Sequence, residues 1–193
     1  MKKVLLSLLV VAFALTGCHN LAGDISPTET YINSYEIAGA VAPLAKVYLA
    51  RLEETGVLTG DKLVKFKANY ATARNMMLQA GDVLGKYIDS PTGSLIANYP
   101  VLMQQFVIIL ADLTGGMVVK TPDGKSKIAL DPKLKAIDAK MGPDEILLGL
   151  NMLIVIIDKI MSMYTTTETL TAEQKAAYHS RVDFVKKAIP EWI

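Results

Sequence analysis

A chain of 193 residues with 20 Lys+Arg against 19 Asp+Glu lacks the basic excess of a nucleic-acid binder. Apolar residues make up 51% of it, too many for a disordered chain, and a single cysteine leaves no disulfide within it. The length suits one domain whose stability comes from packing alone.

At the N-terminus, Lys2 and Lys3 precede an apolar stretch, Val4 to Leu15, interrupted only by Ser7. About 12 such residues are too few to span a bilayer, which needs about 20. A positive start followed by a short apolar run is the pattern of a secretory signal. The run ends in Leu15-Thr16-Gly17-Cys18. That tetrad resembles the lipobox of bacterial lipoproteins: an aliphatic residue, two small or neutral ones, then an obligatory cysteine. The resemblance covers the N-terminal tenth of the chain and falls on its sole cysteine.

The resemblance implies that Cys18 is acylated and becomes the first residue of the mature protein. The chain then divides into a signal peptide (1–17), a lipidated tether (18–25) and a single helical domain (26–193). Losing Lys2 and Lys3 leaves 18 Lys+Arg against 19 Asp+Glu, so bulk charge would not hold the domain to lipid headgroups. His19 to Ile25 reaches at most about 25 Å when extended, which keeps the domain close to the membrane. In enteric lipoproteins an aspartate after the cysteine tends to retain the protein in the inner membrane. His19 at that place implies the periplasmic face of the outer membrane, or the outer face of the cell membrane in a host with only one.

Beyond the tether, helix starts are legible. Ser26-Pro27-Thr28-Glu29 combines an N-cap serine, a proline at the first helical position and a glutamate three residues after the cap. The helix it opens is predicted over about Pro27 to Glu54, kinked or split at Pro43 and ended by Gly56. From about Asp61 to Ile88, Leu63, Phe66, Tyr70, Ala73, Met77, Ala80, Leu84 and Tyr87 alternate by three and four. Such a seam is the inward stripe of a bundle helix or, alternatively, a coiled-coil contact. Ser90-Pro91 is read as the start of a third helical segment reaching Leu113, broken near Asn98 by Pro100. Gly115-Gly116 stops it.

Residues 117–130 lose the helical period. Val118-Val119 and Ile128-Ala129-Leu130 flank Thr121-Pro122-Asp123-Gly124, a turn signature, so a small β-hairpin is expected there. A short helix is predicted at about Pro132 to Lys140. The next, about Pro143 to Tyr164, is apolar on most sides and is expected at the centre of a bundle. Its Ile146 to Ile157 run is too short and too polar at its end to cross a membrane. Thr171-Ala172-Glu173-Gln174 is a capping box for the last helix, about Ala172 to Ile189, which should bury Tyr178, Val182, Val185 and Ile189. The predicted fold is therefore all-α: a bundle of five to six helices with a small β-hairpin insertion.

Chemistry is harder to find. His179 and Asp183 are spaced to pair on the last helix, but no nucleophile elbow accompanies them. Two distant histidines and no free thiol assemble no metal site by spacing, and no calcium loop or phosphate-binding glycine loop occurs. No catalytic residue, metal or cofactor is expected. Asn151 and Asp158 lie seven apart on the most apolar helix, and Gln105 and Asp112 stand in the same relation on the third. They are candidate binding residues, lining a polar cleft, or else a solvated edge or a hydrogen bond that fixes register. The stretch Lys120 to Lys140 holds six lysines against three aspartates, which is a solvated loop or a contact to anionic envelope material.

These readings point to a non-enzymatic envelope lipoprotein. It would be held to the membrane by the lipid on Cys18 and act as an accessory or partner-binding subunit for another envelope protein. A small-molecule or lipid carrier with an apolar cavity between helices is the alternative. A hydrolase-type enzyme comes third.

Overall fold

The computed structural model describes residues 26–122, 126–130, 143–161 and 167–189. The signal, Cys18, the tether and the short helix expected at 132–140 lie outside the described residues. The first helix, α1 (Pro27–Glu54), starts as its sequence dictates. The Ser26 hydroxyl accepts the Glu29 N–H at 3.2 Å, and Pro27 occupies the first turn. Glu168, far along the chain, accepts the Thr28 N–H at 2.9 Å and also the Thr28 hydroxyl. A carboxylate there complements the positive end of the helix dipole.

Of the kink or split expected at Pro43, the split does not occur: α1 continues through it. Val41, Ala42, Ala45 and Leu49 are buried on either side. Tertiary packing of that face offsets the roughly 3 kcal/mol that an interior proline costs.

Helix α2 (Gly60–Asp89) turns its seam inward. Tyr70, Ala73, Met77, Ala80, Leu84 and Tyr87 are buried, while Leu63 and Phe66, near its exposed first turns, are partly so. Ser90 does not start a helix. It ends α2, donating its N–H to Lys86 O at 3.2 Å with φ −141° and ψ 84°. Pro91 disfavours helical backbone at the residue before it, so the serine that reads as a cap is forced extended. A single turn, α3 (Gly93–Ile96), begins after Thr92, and α4 (Tyr99–Leu113) follows the break at Asn98.

The hairpin is formed by β1 (Gly116–Lys120) and β2 (Ser126–Leu130), antiparallel, with Val118 opposite Ile128. Helix α5 (Pro143–Met161) follows. Helix α6 (Ala172–Ala188) opens on a complete capping box: Gln174 N–H to the Thr171 hydroxyl at 3.2 Å, and Thr171 N–H to Gln174 Oε1 at 2.9 Å.

Helices α1, α2, α4 and α5 close a four-membered ring, α1 on α2, α2 on α4, α4 on α5 and α5 on α1. The hairpin packs on α4 and α5, and α6 lies along α1 and α2. The protein is thus an all-α bundle with a small β-hairpin. Tyr31 meets Tyr87 and Tyr99 edge-on, at 5.4 and 5.6 Å between ring centroids. The start of α1, the end of α2 and the start of α4 therefore share one end of the bundle, and the hairpin follows α4 at the other.

Buried tyrosine hydroxyls tie neighbouring helices together. Tyr35 donates to Met77 O at 2.9 Å and Tyr70 to Ala42 O at 3.3 Å. Tyr99 donates to Tyr31 O at 3.0 Å and lies 2.7 Å from the Ser34 hydroxyl. The three bonds to carbonyls each join a side chain of one helix to the backbone of another, which fixes axial register as well as contact.

Helix α5 is a stave of the ring rather than an enclosed centre. Ile146, Leu150, Leu153, Ile157 and Ile160 are buried, but Leu148 and Val155 are 57% and 59% exposed. A four-helix ring gives every member an outer side, so an apolar circumference does not by itself place a helix inside. The segment Gly93–Leu113 is, among the described residues, the one long and apolar enough to cross a membrane by length and composition. Its chain breaks at Asn98, and α4 buries Met103, Phe106, Val107 and Leu110 in the bundle.

Candidate functional site

The four residues singled out by spacing lie on α4 and α5. Gln105 and Asp112 are exposed on the outer face of α4, with Val101 and Ile108 between and beside them. Asp158 is exposed on α5, and Asn151 is half-buried one turn from Leu148 and Val155. None of the four is enclosed in the interior between the two helices. Each pair lies on a mixed face of its own helix, polar residues alternating with apolar ones at heptad spacing.

Asn151 has a specific use. Its Oδ1 accepts the Ile128 N–H at 2.7 Å, and its Nδ2 donates to Ile128 O at 3.2 Å and to Leu147 O at 2.9 Å. One amide therefore satisfies both backbone groups of a β2 residue, as a neighbouring strand would. This matters because a two-stranded sheet is marginal alone and its open edge is a liability. Asn151→Ala is expected to cost about 1–3 kcal/mol, the desolvation cost of buried groups left unpaired, and to speed hydrogen exchange in the hairpin. Asp158→Asn should stay within about 0.5 kcal/mol of the native domain. Thermal melts and amide exchange of the two variants check both expectations.

His179 does not pair with Asp183. Its Nε2 lies 2.8 Å from Asp89 Oδ1, at the C-terminal end of α2, and Asp183 is exposed. Spacing within one helix pointed to the wrong carboxylate, because α6 lies against α2 and the nearer acid comes from there. Among the described residues no group of three or more His, Cys, Asp or Glu side chains is placed to hold a metal ion.

Two features had weaker signs in the sequence. The exposed apolar stripe of α5 is hidden by the apolar character of the whole helix, and only its seven-residue spacing from Leu148 to Val155 marks it. The other is Arg181. Its Nε donates to Glu36 Oε1 at 2.7 Å, its Nη2 to Glu36 Oε2 at 2.7 Å and Asn33 Oδ1 at 2.8 Å, and its Nη1 to both Glu29 oxygens at 2.8 and 3.0 Å. Burial works against its charge, but the Glu36 and Glu29 carboxylates more than offset that and raise its pKa. The partners lie 145–152 residues away in sequence, where no local pattern reveals them. No family model, curated protein or solved structure matches this chain.

Proposed function

We propose that this protein is a lipid-anchored envelope protein without catalytic activity, which binds a protein partner through the outer face of α4 and α5. The observation that carries the binding role is the exposure of Leu148 and Val155 on α5, each more than half open, and of Val101 and Ile108 on the neighbouring α4. Contiguous apolar surface rimmed by polar groups is a mark of interaction sites. Gln105, Asp112 and Asp158 supply that rim, and Asn151 ties the adjoining hairpin to the same face. The anchor rests on the lipobox-like Leu15-Thr16-Gly17-Cys18, and the outer-membrane placement on His19.

Two experiments test the two halves separately. Cys18→Ser should abolish incorporation of a clickable fatty acid and hold back signal cleavage, because the chain has no other thiol. Label persisting in that variant would remove the anchor. For binding, the lipidated protein is used to capture its partner from detergent-solubilised envelope, alongside a Leu148→Glu, Val155→Glu double variant. Both positions are exposed, so the variant should fold normally and lose the captured protein. Capture unaffected by the charges would place the interface elsewhere. Density-gradient fractionation with most of the chain in the inner-membrane band would overturn the outer-membrane placement.

A further inference from the structure

The two ends of the bundle differ in charge. One end gathers the start of α1, the end of α2, the turn α3 and the start of α4, as the contacts of Tyr31 with Tyr87 and Tyr99 require. The start of α6 joins them, with Lys175 Nζ donating to the Asp89 carbonyl at 2.6 Å. Helix α5 finishes there too. Its first turns lie on the hairpin, where Asn151 bonds Ile128, and Gly149 comes against Val41 of α1. From Gly149 to Met161 the helix rises about 18 Å, and Val41 stands about 21 Å from the start of α1. Met161 is therefore nearly level with the first turn of α1.

From Ser90 to Ala111 the chain carries no charged residue. The side of this end formed by α3, α4 and α5 exposes Ser94, Ala97 and Asn98, with two apolar side chains, Leu95 at 39% and Met161 at 46%. Glu29 is taken up by Arg181, and Glu168 by Thr28. Asp89, which meets His179, and Glu173 are exposed to one side, on α2 and α6. Asp158 and Lys159 lie most of a turn back on α5 and are of opposite sign. The other end, where α1 turns into α2, exposes Glu54, Asp61, Lys62 and Lys65.

We propose that the uncharged end is a lipid-facing surface, which rests on the headgroup layer with Leu95 and Met161 entering it and stands the bundle upright on the membrane. The inference rests on the lipid-anchor half of the proposed function and not on the outer face of α4 and α5. The occupant follows from the chain that precedes α1. The residues between Cys18 and Ser26 join the domain at this end and reach at most about 25 Å, against a length of about 42 Å for α1. An acyl group on Cys18 therefore keeps this end at the bilayer whichever way the bundle leans. A charge brought against lipid loses hydration, whereas hydroxyls and amides keep hydrogen-bond partners among the headgroups. Apolar side chains gain by entering the boundary between headgroups and acyl chains. Upright seating carries the turn between α1 and α2 about 42 Å from the lipid.

The test uses the full lipidated protein in vesicles of phosphatidylethanolamine and phosphatidylglycerol that contain a lipid with a nitroxide on its headgroup. Lipidation consumes the Cys18 thiol, so a fluorophore can be placed on Ala97→Cys at the uncharged end or on Lys62→Cys at the other. Both positions are exposed. The label at Ala97→Cys should be quenched at least about threefold more than the label at Lys62→Cys, as contact at headgroup depth requires. A flexible insert of about ten residues after Ala22 should leave that difference in place, because the surface itself holds to the lipid. Leu95→Glu with Met161→Glu should remove the difference in the lengthened protein while flotation with the vesicles and helical circular dichroism stay unchanged. Should that pair not fold, Ser94→Asp with Asn98→Asp makes the same comparison at fully surface positions.

Equal quenching at the two labels, or stronger quenching at Lys62→Cys, would overturn the proposal while flotation leaves the anchor standing. A difference that vanishes when the tether is lengthened would show that the tether alone brings the end near, and would overturn it as well. So would quenching that survives both charged pairs. A chain that neither takes up fatty acid nor floats removes the anchor, and the lipid-facing surface falls with it.

Discussion

Raising the pH above about 10 is expected to destabilise the domain progressively, because buried Tyr35, Tyr70, Tyr87 and Tyr99 resist ionisation in the folded state. Burial is the leading cause at Tyr35, Tyr70, Tyr87 and Tyr99, and it pushes each hydroxyl above its ordinary value. At Tyr35 the Asp82 and Asp183 carboxylates add to it, and at Tyr99 the Ser34 hydroxyl partly offsets it.

The sign follows from which state holds the protons. Below the unfolded value of about 10 both states keep all four protons, and stability is untouched. Above it the unfolded chain ionises while the folded one does not, so stability falls until the folded values are reached. Each group contributes up to about 1.4 kcal/mol per pH unit while its folded value stays above the pH. Against a domain stability of about 5–15 kcal/mol, that loss is large enough to be read directly from denaturant midpoints at successive pH values.

Tyrosinate absorbance from the buried tyrosines should rise together with the loss of the helical circular dichroism signal. Tyr70→Phe should cost only about 1 kcal/mol at neutral pH, since its bond to Ala42 O is long, yet reduce the alkaline slope by about a quarter. One smooth titration with helicity intact would show that these hydroxyls reach solvent.

Leu153→Ala should be strongly damaging, at about 2–5 kcal/mol. Its side chain is fully buried in the bundle. Truncation removes the transfer free energy of the lost atoms and leaves a cavity that a bundle pinned by tyrosine bonds can collapse only in part. For a domain of this size each kcal/mol lowers Tm by about 2–4 °C, so the midpoint should fall by roughly 4–20 °C. Val155→Ala, two residues away and 59% exposed, should stay within about 0.5 kcal/mol. A cost below about 1 kcal/mol at Leu153 would mean that this side of α5 is not packed in the bundle.

Local chemistry was readable along much of this chain, and long-range chemistry was not. Both ends of α1 follow from Ser26-Pro27 and Gly56. The inward face of α2 follows from a period that its residues keep for most of its length. The break before α4 follows from Pro100, because proline acts on its immediate neighbours. Ser90-Pro91 misled for the same kind of reason: the serine suits a cap, but an extended connector serves the pair equally well. Nothing local says that Arg181 will be forked between Glu29 and Glu36, or that His179 will prefer Asp89 to Asp183. Those choices depend on which helices become neighbours. Asn151 was conspicuous as an amide in an apolar helix, but only the position of β2 decides what it bonds.

The first turns of α1 hold more than a helix start. The Ser26 cap, the Glu168 carboxylate on Thr28 and the Arg181 fork on Glu29 all fall there. Two of the three attachments come from 140 or more residues away, one from Glu168 and one from Arg181 on α6. A load on the first turn of α1 is therefore shared with α6 through the Arg181 fork and with the segment before α6 through Glu168, so the two ends of the described chain are fastened to each other.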